Sequence, residues 1–155
     1  IRRFDKIKQS DNMGVYTHGA RIGAVVAITG GDEETSKDVA MHVAASNPIC
    51  IDNKGVPEEM VSREERIFQE QAASSGKPPE IIDKMIQGRM KKFFKEVTLL
   101  GQPFIKNPDM SVNELLKESK AEIISFKRYE VGEGIEKKEE NFADEVMAQI
   151  KGNES

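Results

Sequence analysis

The sequence is poor in the residues that build disulfides, metal centres and membrane spans. Its 155 residues include no tryptophan, one cysteine and two histidines. The single Cys50 cannot form an internal disulfide, and it has no metal-ligand spacing with the histidines. No apolar run approaches the ~20 residues that a membrane-spanning helix requires. The composition of these 155 residues therefore excludes a disulfide scaffold and a membrane-spanning helix. We expect the protein to occupy a reducing, cytoplasmic setting.

The chain also lacks a basic excess. It carries 23 lysines and arginines against 27 acidic residues, a formal net charge of −4. Dedicated nucleic-acid-binding domains usually show a basic excess or a clustered basic face, so we expect no specific nucleic-acid partner. The length fits one ordinary domain, or two small lobes that share a core. Because the chain begins at Ile1, in the middle of a pattern of charged and apolar residues, we expect it to be part of a longer protein.

The first fifty residues predict strands followed by a helix. Residues 15–29 are rich in valine and isoleucine and favour one or two strands. Asp32 is suited to cap a helix whose first turn carries Glu33 and Glu34. Asn47 and the following proline are typical of its end. The apolar positions of this helix are Val39, Ala40, Val43 and Ala44.

Residues 56–97 predict an antiparallel helical hairpin. Pro57 and Pro79 suit the first turns of two helices, and Gly76 suits the end of the first. Apolar residues recur at seven-residue spacing in the first helix and at three- to four-residue steps in the second, so each helix has one narrow stripe. The stripes contain Met60, Val61, Ile67 and Phe68, then Ile82, Ile86, Arg89 or Met90, Phe93 and Val97. Such stripes cannot form an independent core, so we expect a coiled-coil hairpin that projects from the body.

The remaining residues predict a turn, a helix, a strand and a last helix. Residues 101–104 are typical of a turn, and Ser111 with Glu114 forms the pattern of a capping box. Residues 121–131 favour a strand with Ile124 and Phe126 on one face and Ile123 on the other. The last helix is indicated by apolar positions at i, i+4 and i+8, which are Phe142, Val146 and Ile150.

This order of elements predicts an α+β fold in which an antiparallel sheet packs with helices. The fold would also have a projecting helical hairpin and a C-terminal helix. We expect a core subdomain formed by residues 1–50 and 98–138, with residues 51–97 inserted as the hairpin. Residues 139–155 would form a C-terminal helical module.

No set of residues forms a recognisable catalytic or phosphate-binding motif. His18, His42 and Cys50 could serve a metal- or thiol-dependent enzyme only if folding brought them together. The glycines at 132 and 134 are not followed by the Gly-Lys-Ser/Thr ending of a phosphate loop, so a turn is the favoured interpretation. We therefore expect a binding protein without a cofactor or metal, and no enzyme.

Two exposed features have open interpretations. Residues 91–95 combine basic and aromatic side chains, where RNA contact is possible but a solvated helix face is favoured. The Phe142 and Val146 stripe of the last helix could pack on the parent domain or dock in a partner's groove. The residues alone favour neither of these two.

Four short runs carry a resemblance to a known family. They are Tyr-Thr-His-Gly-Ala-Arg-Ile-Gly (residues 16–23), Met-His-Val-Ala-Ala-Ser-Asn-Pro (41–48), Gly-Gln-Pro-Phe (101–104) and Val-Gly-Glu-Gly-Ile-Glu-Lys (131–137). In this order and spacing they resemble the C-terminal part of bacterial elongation factor Ts. Residues 75–78 and 88–93 are also similar to that family. The resemblance runs from about residue 14 to about residue 150.

The resemblance implies a protein that binds elongation factor Tu and promotes release of GDP by an allosteric coupling. It implies that the loop with His18, Gly19, Ala20 and Arg21 contacts the third domain of Tu. The terminal helix with Phe142 and Val146 would dock on Tu's nucleotide-binding domain. The family's intruding Thr-Asp-Phe-Val motif is absent from this sequence, so we expect docking with poor exchange. The alternatives are a self-association module, with a possible homodimer, and more remotely the enzyme above.

Overall fold

The computed structural model describes residues 3–7 and 10–134. Within these residues the chain forms two small antiparallel sheets and four α-helices. In chain order the elements are β1 (Asn12–His18), β2 (Ile22–Gly30), α1 (Glu33–Ser46), α2 (Glu58–Ala73), α3 (Pro79–Val97), β3 (Pro103–Phe104), β4 (Asn107–Ser111), α4 (Val112–Glu118) and β5 (Ala121–Glu130). A short 3-10 turn, Asn53–Gly55, precedes α2. This is the α+β class that the sequence predicts.

A three-stranded antiparallel sheet in the order β1-β2-β5 carries the core. One face of the sheet packs against α1, because β2 places small and branched side chains on every second residue. The helix approaches β1 closely at Gly14, where a Cβ atom would lie 1.9 Å from the carbonyl oxygen of Ser36. The core cluster consists of Ala24, Val26, Ile28, Val39, Ala40, Val43, Ala44, Leu99, Phe104, Val112, Leu116 and Ile123.

The helix ends agree with the sequence patterns. The Asp32 side chain accepts a hydrogen bond from the Thr35 amide and caps α1, while Asn47 ends that helix in the left-handed conformation. Ser111 and Glu114 form the reciprocal capping box at the start of α4. Each cap satisfies backbone groups that a helix end leaves without a partner, so these boundaries are local properties of the sequence.

The strand β5 corrects one expectation. Ile123 is buried at 7% exposure, whereas Ile124 is 42% exposed. The prediction that Ile124 and Phe126 share one face, with Ile123 on the other, is therefore wrong. A register shift at Ala27/Ile28 of β2 interrupts the alternation of β5. Ile123 and Phe126 consequently both pack on the core, as a bulge allows.

The two helices α2 and α3 contact each other in antiparallel sense. Near the far end, Arg89 donates to Gln71 and lies over the Phe68 ring. Near the body, Met60 and Val97 line the same small cavity. Ala72 is the buried residue of α2, and α3 has none. The hairpin therefore exposes most of its surface, while its coiled-coil character stays a prediction.

The entry and exit of the hairpin meet through backbone hydrogen bonds. The amide of Ile49 donates to Val97 at 2.9 Å, and the amide of Leu99 donates to Cys50 at 2.8 Å. These bonds form a short parallel bridge between residues 50 and 98. Searching the described residues finds no helix with the length and apolar character needed to cross a membrane. The expected last helix, with Phe142, Val146 and Ile150, lies outside those residues.

Candidate partner-binding surface

The turn between β1 and β2 presents four consecutive exposed residues. His18 pairs with Ile22 as the last rung of the two strands, and the amide of Arg21 donates to the carbonyl oxygen of His18 at 3.3 Å. Gly19 has φ +57°, a conformation that glycine adopts without steric cost. His18, Gly19, Ala20 and Arg21 are all exposed. The family resemblance implies that these residues are a contact site, which stays a prediction, and the fold places them at one tip of the sheet.

Arg21 ties this turn to the end of β5. Its Nε and Nη2 atoms lie 2.9 and 2.7 Å from Oε1 of Glu130. The amide of Val131 also donates to the carbonyl oxygen of Arg21 at 2.8 Å. The first of the sequence runs therefore contacts the end of β5 and Val131, the first residue of the fourth run, although about 110 residues separate them.

Arg128 connects the same carboxylate to the helix behind it. Its Nη2 atom lies 2.9 Å from Oε2 of Glu130, and its Nε donates to the carbonyl oxygen of Ala44 at 3.0 Å. Ala44 belongs to the last turn of α1, where carbonyl groups attract a positive charge. Arg128 and then Arg21 hold the pKa of Glu130 below its usual value. The carboxylate thus stays ionised and bridges two guanidinium groups.

The exposed part of this surface mixes aromatic, cationic and apolar groups. The Tyr16 hydroxyl lies 3.3 Å from Nδ1 of His18, and the two rings stack with centroids 6.4 Å apart. On the other side of Arg21, Val131 is 71% exposed. Tyrosine and arginine are enriched in protein–protein interfaces. We refer to Tyr16, residues 18–21, Glu130 and Val131 as the turn surface.

The second histidine has entirely different surroundings. His42 is fully buried, with Nε2 2.9 Å from Oε1 of Gln102. Its Nδ1 accepts a hydrogen bond from the Ile105 amide at 3.3 Å, so Nε2 carries the proton that it donates to Gln102. Burial lowers the pKa of His42, partly offset by Gln102. Gln102 in turn donates to the carbonyl oxygen of Glu96 at 2.7 Å. We call His42, Gln102, Phe104 and Ile105 the buried junction.

The residues proposed for an enzyme do not form a site. Both ring nitrogens of His42 are occupied within the buried junction, and His18 contacts Tyr16 at the other surface. The Cys50 thiol donates to the carbonyl oxygen of Asp52 at 3.1 Å, and burial raises its pKa, which disfavours the reactive thiolate. In the part of the chain that the structure describes, no three potential ligands cluster for a metal ion.

The structure adds residues that sequence reasoning did not select. Glu130 and Val131 complete the turn surface, Arg128 supports Glu130 from behind, and Gln102 completes the buried junction. Arg128 and Glu130 are two residues apart and therefore lie on the same face of β5. That spacing is the sequence feature that could have indicated this ion pair. The two remaining candidates, Phe142 and Val146, lie outside the described residues.

The fold and the turn surface define a class, namely an α+β domain that presents an exposed turn positioned by ion pairs. The chain belongs to the elongation factor Ts family. Residues 1–133 match the family model described as Elongation factor TS.

Individual relatives agree with this assignment. Elongation factor Ts of Thioalkalivibrio sulfidiphilus is 54% identical over 154 residues, which cover 98% of this chain and 53% of that protein. The protein of the same name from Alkalilimnicola ehrlichii is 56% identical, with 99% and 53% covered. That of Legionella pneumophila is 56% identical, with 97% and 52% covered. The chain spans about half the length of the curated relatives that it matches.

Proposed function

We propose that this chain docks on elongation factor Tu as the C-terminal part of a guanine-nucleotide exchange factor of protein synthesis, in the cytoplasm. Membership of the elongation factor Ts family supports this proposal. The chain would act by binding rather than by catalysis, and it would need no cofactor or metal. The partner surface would be His18, Gly19, Ala20 and Arg21.

The observation that carries the proposal is the construction of the turn surface. An exposed turn has many conformations, and ordering them on binding costs free energy. Here the Arg21–Glu130 ion pair and the hydrogen bond from the Val131 amide restrict the conformations of the turn before a partner arrives. Arg128 supports that carboxylate from behind. A pre-organised turn of this kind is suited to docking.

Exchange by this chain alone would be poor. The Thr-Asp-Phe-Val motif that the family resemblance links to nucleotide release does not occur in the sequence. The chain also spans about half of its relatives. Affinity for Tu and acceleration of GDP release should therefore separate in this chain, because they depend on different residues.

The proposal keeps the division into a core of residues 1–50 and 98–138, a coiled-coil hairpin of residues 51–97 and a terminal module of residues 139–155. The backbone bonds between residues 49–50 and 97–99 support an inserted hairpin, since they close the body behind it. Phe142 and Val146 of the terminal module would supply a second contact with Tu.

The test combines two assays on the same protein. Binding to Tu is measured by calorimetry, and release of a fluorescent GDP analogue from Tu is followed with and without the chain. Stoichiometric binding with little acceleration supports the proposal, and absence of binding would overturn it. Truncation before Glu139 should weaken binding while the cooperative melt persists. Loss of the melt would instead assign residues 139–155 a structural role.

Self-association is a second candidate, favoured by exposed apolar residues on β1. Met13 and Val15 are 44% and 58% exposed on the sheet face opposite α1, and among the described strands β1 pairs only with β2. An exposed edge strand can pair with another chain. A mass that rises with concentration and falls in Val15→Lys would support a homodimer, whereas a constant monomer mass would exclude it. Lys127→Gln, on the same face, is the control.

A further inference from the structure

A row of lysines occupies the side of α3 that faces away from α2. At 3.6 residues per turn, Lys84, Lys91 and Lys95 lie within an arc of about 40°. Ile86 and Phe93, which belong to the half-buried stripe, lie on the opposite side of the helix. All three lysines are exposed. The basic residues of α3 are therefore concentrated on its outer face.

A fourth lysine converges on this row at the base of the hairpin. Lys54, from the 3-10 turn, lines a cavity of about 640 Å³ together with Lys91 and Lys95. Asp52 also lines it, and an oxygen of its carboxylate accepts a hydrogen bond from the Lys54 amide at 3.0 Å. Hydrogen bonds from Ser111 lower the pKa of the neighbouring Glu114, and the charge of Lys95 adds to this effect. The three lysines outnumber the one carboxylate that lines the cavity.

These lysines differ from the paired ones elsewhere on the helices. Lys92 lies 3.7 Å from Glu96, and Lys37 lies 2.6 Å from Glu33, as expected for a solvated helix surface. In the described part of the chain, Lys54, Lys84 and Lys91 have no carboxylate within 4 Å. Water and salt screen the repulsion between exposed lysines, so lysines without a carboxylate partner in the chain are available to an anion from solution.

A glycine in the same face gives independent support. Gly88 lies in the interior of α3, where glycine is destabilising relative to alanine. A Cβ atom at this position would meet no atom within 4 Å, so packing within the described chain does not require glycine. A helix surface without a side chain does permit the close approach of another molecule's backbone.

We propose that the face formed by Lys54, Lys84, Gly88, Lys91 and Lys95 binds the phosphate backbone of RNA. Steps of four and seven residues place the lysines of α3 about 6 and 10 Å apart along the helix axis. Such a row of point charges is suited to the regular series of phosphates along a nucleic-acid strand. From Lys84 to Lys95 the helix has no exposed large hydrophobic residue, whereas protein partners usually require an apolar anchor. RNA is therefore favoured over an acidic peptide.

The acidic net charge of the chain is compatible with this local basic face. The helix α2 carries five glutamates against two arginines, whereas α3 carries five basic residues against three acidic ones. The charges of the hairpin are thus divided between its two helices. The sequence-based expectation of no nucleic-acid partner followed from net charge, which averages over this separation.

The first test measures binding of a fluorescein-labelled RNA hairpin by anisotropy, with neither Tu nor nucleotide present. This proposal does not rest on Tu docking, so the two can fail separately. In Lys91→Gln/Lys95→Gln we expect about tenfold weaker binding and a salt slope smaller by about 2, because two phosphate contacts are lost. The control Lys37→Gln/Lys92→Gln has the same net charge and should bind as the unaltered protein does. Equal losses in both variants, or no binding by the unaltered protein, would overturn the proposal.

The second test uses the glycine and a competing polymer. Gly88→Ala should raise the melting temperature, since alanine favours helix, yet weaken RNA binding by blocking close approach. Unchanged RNA affinity in this variant would overturn the role of Gly88. Poly-glutamate that competes as effectively as unlabelled RNA would show that the face takes acidic polypeptides instead.

Discussion

The turn surface and the buried junction each contain one histidine, and each joins two sequence runs that are distant along the chain. In the turn surface, residues 16–23 meet the end of β5 through Arg21 and Glu130. In the buried junction, residues 41–48 meet residues 101–104 through His42 and Gln102. The polar side chains of the turn surface face solvent, whereas those of the buried junction form hydrogen bonds inside the protein. The comparison shows that a short motif can specify either a contact surface or an internal connection.

Burial explains why the two histidines have different consequences. A buried polar group that loses its partner costs about 1–3 kcal/mol in unfolding free energy, whereas an exposed one exchanges its partner for water. His42 has two hydrogen-bond partners and lies against the Phe104 ring. His18 has the Tyr16 hydroxyl beside solvent. Substitution should therefore affect stability at His42 and binding at His18.

The largest expected effect is that of His42→Ala. The variant removes a buried ring and leaves Gln102 and the Ile105 amide without their partner, so we expect a loss of about 3 kcal/mol in unfolding free energy. Urea denaturation monitored by circular dichroism measures this loss. His18→Ala is the matched control and should unfold at the same urea concentration. Equal urea midpoints for the two variants would contradict the claim that the buried histidine contributes to stability and the exposed one does not.

His18→Ala should instead weaken binding to Tu by about tenfold, which is about 1.4 kcal/mol. The imidazole and its stacking with Tyr16 belong to the proposed contact surface, and the fold does not depend on them. Calorimetric titration of Tu with each variant provides the measurement. Wild-type affinity in His18→Ala would remove this residue from the interface.

Glu130→Gln should have a smaller effect on binding, about threefold. The amide cannot hold both Arg21 and Arg128 by charge, so the turn would sample more conformations before docking. Because the change acts through turn mobility, a faster backbone exchange of the Arg21 and Val131 amides should accompany it. Weaker binding with unchanged exchange would mean that Glu130 contacts Tu directly.

The smallest expected effect is a pH dependence of stability from His42. Burial lowers the pKa of His42 in the folded protein below its ordinary value of 6.5. Between these two pKa values the unfolded chain binds more protons, so stability is complete above pH 6.5 and falls as the pH decreases. Unfolding free energies compared between about pH 7.5 and pH 5 should show this slope, above the range in which carboxylates titrate. In His42→Gln the slope should be reduced, and an identical slope would contradict the assignment.

Much of the local structure could be predicted from the sequence because it depends on neighbouring residues. Asp32, Asn47 and Ser111 act on backbone groups within a few positions, and the prolines before α2 and α3 restrict their own backbone. The buried stripe of α1 follows from helical periodicity. Within the candidate site, the exposed turn at residues 18–21 was predicted through family resemblance.

The faces of β5 could not be predicted, because the register shift that leaves Ile124 without a pairing partner in β2 is a property of the two strands together. The alternation rule placed Ile124 on the same face as Phe126, yet the shift at Ala27/Ile28 puts Ile123 and Phe126 together on the core. Likewise no spacing rule relates Arg21 to Glu130, since their contact requires β2 and β5 to be neighbours.

The sequence by itself determined the α+β class, the helix caps, the hairpin prolines and the family to which the chain belongs. Tertiary structure alone decided which runs meet, which histidine is buried and which side of α3 carries unpaired lysines. The physical reason is the range of the interactions. Caps and periodicity act over a few residues, whereas burial, strand register and charge convergence depend on segments that folding brings together from distant parts of the chain.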